Sequence, residues 1–277
     1  MPRSIWNGTI TFGVIAVPIK VHSATEDRSV HFHQVHAADG ARIKQRRICA
    51  EEGREVPYKE VVKGYEIGGE EYVVLTQEEI DAAAGPRSRL IALEQFVCRA
   101  DVDPVFYDKT YYLGAGEDGA DAYRLLHDAL ERSGRAGLGR WVFHNREYLV
   151  AVRSLDGVLA LHTMRFADEL VPAEELDVPE PSRAPGQREV EMAGRLVDSL
   201  HERFTPSAFR DTHRERVLEF IERKADGEKL EPAAPSEPES SGDLMAALEA
   251  SLSSSGRASG RRPGGPAGSR GRPAAAV

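Results

Sequence analysis

Cysteine is scarce in this chain, and long apolar runs are missing. Cys49 and Cys98 are the only two cysteines in 277 residues, which is too few for a disulfide framework. No run approaches the about 18 apolar residues that span a bilayer, and the first ten residues lack the apolar core of a signal peptide. These absences predict a cytoplasmic protein of a reducing compartment with no membrane partner.

Familiar catalytic motifs are missing as well. The sequence contains no G-x-x-x-x-G-K-[ST], G-x-S-x-G or H-E-x-x-H, which lowers the odds of an enzyme. Residues 114–119, "GAGEDG", match G-x-G-x-x-G. Glu117 and Asp118 would face a pyrophosphate there, however, and the position about 20 residues on is Arg140 and not an acid. A turn is therefore the better interpretation.

Charge is unevenly distributed. The net charge is −9, but residues 1–49 hold seven Lys or Arg against three acids, and residues 256–277 hold five Arg and no acid. Steering of a ligand depends on local potential and not on the sum. The chain can therefore bind a polyanion despite its acidic total.

Periodicity divides the chain in two. From Ile5 to about Phe166, short alternating segments with turn residues between them predict a closed or nearly closed antiparallel β-barrel. The segment "ITFGVIAVPIKVHSAT" reads as its first strand, with Pro18 marking an edge or a bulge. "VHFHQVH" reads as a further strand. One helix is expected inside this region, beginning at Asp121, ending at Gly134 and burying Leu125, Leu126, Ala129 and Leu130.

Helical periodicity follows Pro179. An apolar stripe predicts a helix that needs a partner surface, either on the barrel or on a second subunit. Its members are Val190, Ala193, Leu196, Val197, Leu200 and Phe204. A second helix starts at Thr212, which forms a capping box with Glu215, and stops at Gly227. Beyond a linker at 228–242, a short helix with Leu244, Leu248 and Leu252 on one edge suggests a docking partner, and the remaining tail is expected to be disordered.

The stretch "RIKQRRICAEEG" at 42–53 raises two questions. If it is a strand, Arg42, Lys44 and Arg46 project from one face, which suits phosphate contacts but also suits a solvated surface. Cys49 stands where a metal knuckle begins, but the position for a second thiolate is Glu52. Structural zinc requires four ligands, so a plain turn is expected.

The histidines of "HFHQVH" allow two interpretations. His31 and His33 share one side of a strand and His36 lies close in sequence, so a metal-dependent nuclease is one hypothesis. No carboxylate has ligand-like spacing nearby, which favours a packed or surface histidine pair.

Six segments in order resemble the bacterial Ku proteins, from about Pro2 to Leu252. They are "IWNGTITFGVIAVPIKVHSAT", "FHQVH", "EVPYKEVVKGYE", "FVCRADVDPVFYDKTYYL", "AYRLL" and "VDSLHERFTPSAFRDTHRERVLEFIERKADGE". Many members carry Cys-x-x-Cys-Gly where this chain has "CAEEG", so a metal or redox role does not transfer.

The resemblance implies a mainly β fold with α: a Ku-type barrel with bridging strands, a helical C-terminal arm and a disordered basic tail. The corresponding domains are 1–186, 187–227 and 228–277. It also implies a homodimeric ring that binds the ends of double-stranded DNA and recruits a multifunctional ATP-dependent DNA ligase for non-homologous end joining. No catalytic residue or cofactor is implied, and a nucleoid association follows. The alternative is a general nucleic-acid-binding barrel without end specificity.

The candidate DNA contacts are chosen by charge and by the face of the predicted strand on which each side chain would lie. These are Lys20, Arg42, Lys44, Arg46 and Arg47 in the segments expected to line the hole, Lys59 and Lys63 as outer candidates, and Arg257, Arg261, Arg262, Arg270 and Arg272 in the tail. Leu244, Leu248 and Leu252 are the candidate contacts for the ligase.

Overall fold

The computed structural model describes residues 3–69, 71–83, 89–179, 183–228 and 251. The chain forms two units, Met1–Leu176 and Asp177–Val277. The strands are β1 (Trp6–Phe12), β2 (Ile15–Ser23), β3 (Lys63–Gly68), β4 (Glu71–Leu75), β5 (Leu90–Cys98), β6 (Tyr107–Ala115), β7 (Arg135–Phe143), β8 (Arg146–Leu155) and β9 (Val158–Met164). The helices are α1 (Gln77–Ala83), α2 (Ala120–Ser133), α3 (Gln187–Ser199) and α4 (Thr212–Ala225). Within the described ranges, no helix is long and apolar enough to cross a membrane.

Seven strands close into a barrel in the order β1-β2-β6-β9-β8-β7-β5. The predicted barrel is confirmed, but the expectation that it is wholly antiparallel is wrong at the closing seam. There β1 and β5 run parallel, with Thr9 opposite Leu90 and Thr11 opposite Ala92. A parallel pair needs a long crossover connection. The chain between β2 and β5 supplies the required length.

The first predicted strand is in fact a hairpin. Phe12 pairs with Ile15 across a two-residue turn, and Gly13 supplies the positive φ of 56° that such turns favour. Pro18 lies inside β2, opposite Thr9 in a ladder without a register shift, so the predicted bulge does not form, and β2 is not an edge strand of the closed barrel. The ladder to β6 begins only at Ile19, so no β6 partner requires the N–H that Pro18 lacks.

The barrel interior is filled by apolar side chains, and their alternation with less buried residues is clearest along β2. On β2, Val17, Ile19 and Val21 are fully buried, as period-2 alternation requires. Trp141 is also fully buried. Its ring stacks on Phe143 at 4.5 Å between centroids and meets Trp6 and Tyr111 edge-on at 5.6 Å.

Helix α2 packs against β2, β7 and β8 of the barrel, and its Leu126 and Leu130 join the hydrophobic core cluster. Its buried residues are Leu126, His127 and Leu130, whereas Leu125 is 60% exposed, so the predicted buried face is rotated by about one residue. The helix begins at the N-cap Gly119, which lies before the predicted Asp121, and ends at Gly134 with φ 62° as predicted. The rotation is a tertiary effect, because the strands that α2 contacts select which face of the helix is buried.

The connection from residue 24 to residue 89, here named the bridge segment, has a different character. It contains β3, β4 and α1, and none of its described residues is buried. The strands predicted at "VHFHQVH" and at 42–46 do not form. The backbone makes only isolated bridges there, Val35 with Arg42 and Ile48 with Glu55, since no packed surface lies beneath to extend a ladder.

The second unit contains α3 and α4. Asp211 caps α4 by accepting a hydrogen bond from the Arg214 N–H at 2.9 Å, so the cap predicted at Thr212 lies one residue too late. No described residue from 177 to 228 is buried. The apolar stripe of α3 is therefore uncovered within its own unit, as its sequence predicts. The domain boundaries proposed at 186 and 227 stay predictions.

Candidate nucleic-acid interface

Two tight backbone turns organise the central part of the bridge segment. In the first, the Gly40 N–H donates to the His36 carbonyl at 2.8 Å and the Ile43 N–H donates to the Gln34 carbonyl at 3.1 Å. With the Val35–Arg42 bridge, these bonds fold residues 34–43 into a hairpin-like loop, here named the first loop. It brings the histidine-rich stretch against the basic stretch.

The second turn surrounds Cys49. The Cys49 N–H donates to the Arg54 carbonyl and the Gly53 N–H donates to the Cys49 carbonyl, both at 2.9 Å. Gly53 adopts φ 66°, a left-handed conformation that favours glycine. The expected plain turn at the position of a knuckle is confirmed. Among the described residues, no three His, Cys, Asp or Glu side chains are arranged to hold a metal ion.

Four of the candidate DNA contacts have side-chain partners. Lys20 Nζ lies 3.8 Å from Glu117 Oε1, and Arg46 Nη1 lies 3.2 Å from Glu55 Oε2. Arg42 Nη2 lies 2.9 Å from His33 Nδ1. The Arg47 guanidinium stands over the Tyr58 ring, 4.9 Å from its centroid. Because exposed ion pairs are weak, a phosphate can replace any of these partners at low cost.

The other candidates in the described range have no side-chain partner. Lys44, Lys59 and Lys63 are exposed and make no side-chain hydrogen bond or ion pair with the described residues. Lys59 lies in the short 3₁₀ turn Tyr58–Glu60, and Lys63 opens β3 opposite Leu75. The C-terminal candidates lie outside the described residues: Leu244, Leu248, Leu252, Arg257, Arg261, Arg262, Arg270 and Arg272.

Two carboxylates in this region stay charged to low pH. The pKa of Asp39 is lowered because its carboxylate accepts hydrogen bonds from the Ala41 N–H and from His36. The pKa of Asp27 is lowered by hydrogen bonds from the Ser29 hydroxyl and N–H. Both carboxylates are hydrogen-bonded to neighbouring residues and make no contact with the basic side chains of residues 42–47.

Sequence reasoning missed His33 as part of this surface. The sequence suggests either a metal cluster or a packed or surface histidine pair, in both cases separate from the basic stretch. The turn at residues 37–40 places His33 against Arg42 instead. A turn signal was present in "AADG", but the contact depends on the register across it.

The "GAGEDG" loop performs a packing role. A Cβ on Gly116 would lie 2.8 Å from the Pro18 Cβ, and one on Gly119 would lie 2.9 Å from the Pro18 carbonyl oxygen. Both distances are shorter than real Cβ contacts allow. These glycines permit the loop to cross β2 closely, which supports a structural interpretation over a nucleotide-binding one.

Comparison with known proteins identifies the family. Residues 11–192 match the family model described as the Ku70/Ku80 beta-barrel domain. The chain belongs to the Ku family. A Ku relative named "Non-homologous end joining protein Ku", from Anaeromyxobacter sp. (strain K), is 43% identical over 259 residues, covering 93% of this chain and 87% of the relative.

Further Ku relatives carry the same description. The Ku protein of Mycobacterium tuberculosis (strain CDC 1551 / Oshkosh) is 35% identical over 270 residues, which is 94% of this chain and 98% of that protein. One from Saccharopolyspora erythraea, "Non-homologous end joining protein Ku 1", is 38% identical over 94% of this chain and 81% of its own length. The matches therefore extend beyond the barrel into the C-terminal region.

Proposed function

We propose that this Ku protein binds the ends of double-stranded DNA as a ring-shaped homodimer, without regard to sequence, and acts in non-homologous end joining. It performs no catalysis of its own and recruits a multifunctional ATP-dependent DNA ligase. The observation that carries the proposal is the basic stretch at residues 42–47, which holds four cations and no acid and lies on the bridge segment, a connection without buried described residues in a Ku barrel. The printed names of the relatives support the pathway.

The chemistry of the bridge segment suits phosphate contacts. Its candidate contacts are cations on exposed loops, and phosphate contacts contribute affinity without sequence information. Each neutralised phosphate also releases counterions, so binding should weaken steeply with salt. A protein that must accept any broken end requires this kind of recognition.

The apolar side chains of the bridge segment support a dimer. In the β3–β4 hairpin, Tyr65 opposes Val73 and Glu66 opposes Tyr72, so large apolar side chains lie on both faces. All three of these apolar residues are exposed. An isolated two-stranded hairpin is marginal in water. A second copy of this chain, presenting the same hairpin, would bury these faces.

The apolar stripe on α3 has two candidate partner surfaces, the barrel of its own chain or that of a second copy. The proposal does not choose between them. Recruitment of the ligase through Leu244, Leu248 and Leu252 is likewise a proposal, which rests on the resemblance. Deleting residues 228–277 should leave end binding largely intact and abolish stimulation of the ligase. Full stimulation by the truncated protein would move the ligase site elsewhere.

Competition binding tests the ring. The purified protein is bound to a labelled linear duplex and challenged with the same sequence, either as unlabelled linear DNA or as a covalently closed circle. A ring that must thread onto an end predicts that only the linear competitor displaces the label. Equal competition by the circle would favour the alternative, an open cationic surface without end specificity. Release of DNA fragments in a chelator-sensitive reaction would instead support a nuclease.

A further inference from the structure

The contact between His33 and Arg42 is unusual among the histidine contacts of the bridge segment. Arg42 Nη2 lies 2.9 Å from Nδ1 and 3.3 Å from Nε2 of the His33 ring. The Val35–Arg42 bridge and the hydrogen bond from the Ile43 N–H to the Gln34 carbonyl hold the two strands of the first loop in this register. Both side chains are exposed, so an external ligand can reach them together.

The other two histidines of this stretch each have a carboxylate. His31 Nε2 lies 3.7 Å from Asp27 Oδ2, and His36 Nδ1 lies 3.0 Å from Asp39 Oδ1. Of these three histidines, only His33 has a cation as its charged side-chain contact among the described residues. The His33–Arg42 pair therefore has no carboxylate contact among the described residues.

We propose that His33 and Arg42 jointly bind one phosphate of the DNA backbone, with His33 protonated in the complex. The inference rests on the proposed DNA binding and adds a contact residue to it. A phosphate placed between the guanidinium and the imidazolium accepts a charge-assisted hydrogen bond from each.

This geometry links DNA binding to proton uptake. Imidazole ordinarily changes charge between about pH 5 and pH 8, so binding near neutral pH takes up a proton at His33. Affinity therefore falls as pH rises, by at most about tenfold per pH unit for one proton. Arginine and lysine side chains in general do not change charge in this range.

The test compares His33→Gln with His36→Gln, using the full-length protein and a short linear duplex at constant ionic strength. Wild-type affinity should rise about three- to tenfold from pH 8 to pH 6. We expect His33→Gln to flatten this dependence and to match the wild type at pH 8. His36→Gln is the matched control, because it removes an equally exposed histidine that has its own carboxylate, and it should keep the wild-type slope.

Calorimetric titrations in two buffers of different ionisation enthalpy count the protons directly. The expected result is a proton uptake at pH 7 that is present in the wild type and lost in His33→Gln. A variant that keeps the wild-type pH slope and proton uptake would overturn the assignment of His33. If the wild-type protein fails to bind the duplex at every pH, the proposed function itself fails.

Discussion

The barrel and the bridge segment belong to the same unit of this chain, yet they are built on opposite principles. The barrel strands surround a filled apolar interior, in which Trp141, Ile19 and Leu161 are almost fully buried. The bridge segment has no buried residue within the described ranges. The barrel can be stable by itself, whereas the bridge segment needs a partner to become rigid.

This difference separates stability from binding. Removing a barrel side chain should unfold the protein without any direct effect on DNA contacts. Changing a charge on the bridge segment should alter DNA affinity with little effect on unfolding, since surface substitutions usually change stability by less than about 0.5 kcal/mol.

The largest effect is expected from Trp141→Ala. Its ring contacts Trp6, Tyr111, Phe143 and Tyr148 in the barrel interior. Truncation of such a residue costs about 3 to 5 kcal/mol, which chemical denaturation would measure. Leu125→Ala, on the exposed face of α2, is the control and should cost far less. Similar losses for both variants would contradict the burial pattern.

Removing three cations of the bridge segment should weaken DNA binding strongly. Arg42, Lys44 and Arg46 replaced together by Ala should reduce affinity about a hundredfold and lower the salt slope by about 2 to 3 per subunit. The midpoint of thermal unfolding should barely move.

A triple variant of equal charge, with two changes in α2 and one at the start of β7, provides the control for that experiment. Arg124, Arg132 and Arg135 are exposed on the barrel unit, and replacing them by Ala removes the same charge. If both triples lower affinity equally, net charge and not the bridge segment carries the binding.

Acid should destabilise the barrel through His162. Its ring is 6% exposed, Arg153 Nε donates to its Nε2 at 2.9 Å, and burial together with the Arg153 charge lowers the pKa to about 4. In the unfolded chain His162 takes up a proton near its ordinary pKa of 6.5. In the folded barrel it stays neutral at that pH. Stability is complete above that value and falls as pH drops towards 4.

The expected loss from pH 7 to pH 5 is about 2 kcal/mol from this residue. Denaturant unfolding of His162→Gln at both pH values should show a smaller difference between them than the wild type shows. An unchanged difference would mean that another group controls the acid sensitivity.

The smallest effect concerns an ion pair inside the bridge segment. Glu55 competes with phosphate for Arg46, so Glu55→Gln should tighten DNA binding about two- to fivefold, in keeping with the low energy of exposed pairs. Glu52→Gln is the matched control: it removes the same charge from the same turn but frees Arg54, which is not a candidate contact. Equal tightening by both variants would indicate a general charge effect.

Much of the barrel could be predicted, because most of its strands have short-range sequence signals. The alternation around β2, β6 and β9 and the glycine that ends α2 are short-range signals. The parallel seam of β1 with β5 could not be predicted, since it depends on a pairing about 80 residues apart in sequence. The strand predicted at "VHFHQVH" was wrong, because alternation indicates a strand only where a packed face and a neighbouring strand are present.

The candidate site was predictable in composition but not in arrangement. Arg42, Lys44 and Arg46 stand out by charge alone, whereas the partners that modify them follow from turns. Glu55 reaches Arg46 through the turn around Cys49, and His33 reaches Arg42 through the turn at residues 37–40. Such contacts depend on register, which residue type alone does not determine.

Amide hydrogen exchange with and without DNA tests the central claim most directly. In the free protein, described residues 24–69 and 71–83 should exchange faster than the barrel strands, because few of their backbone bonds are buried. Linear duplex should slow exchange in the basic loops at 34–55 and leave the barrel core unchanged, and the closed circle should have no such effect. Protection confined to the barrel surface, or equal protection by the circle, would contradict the account.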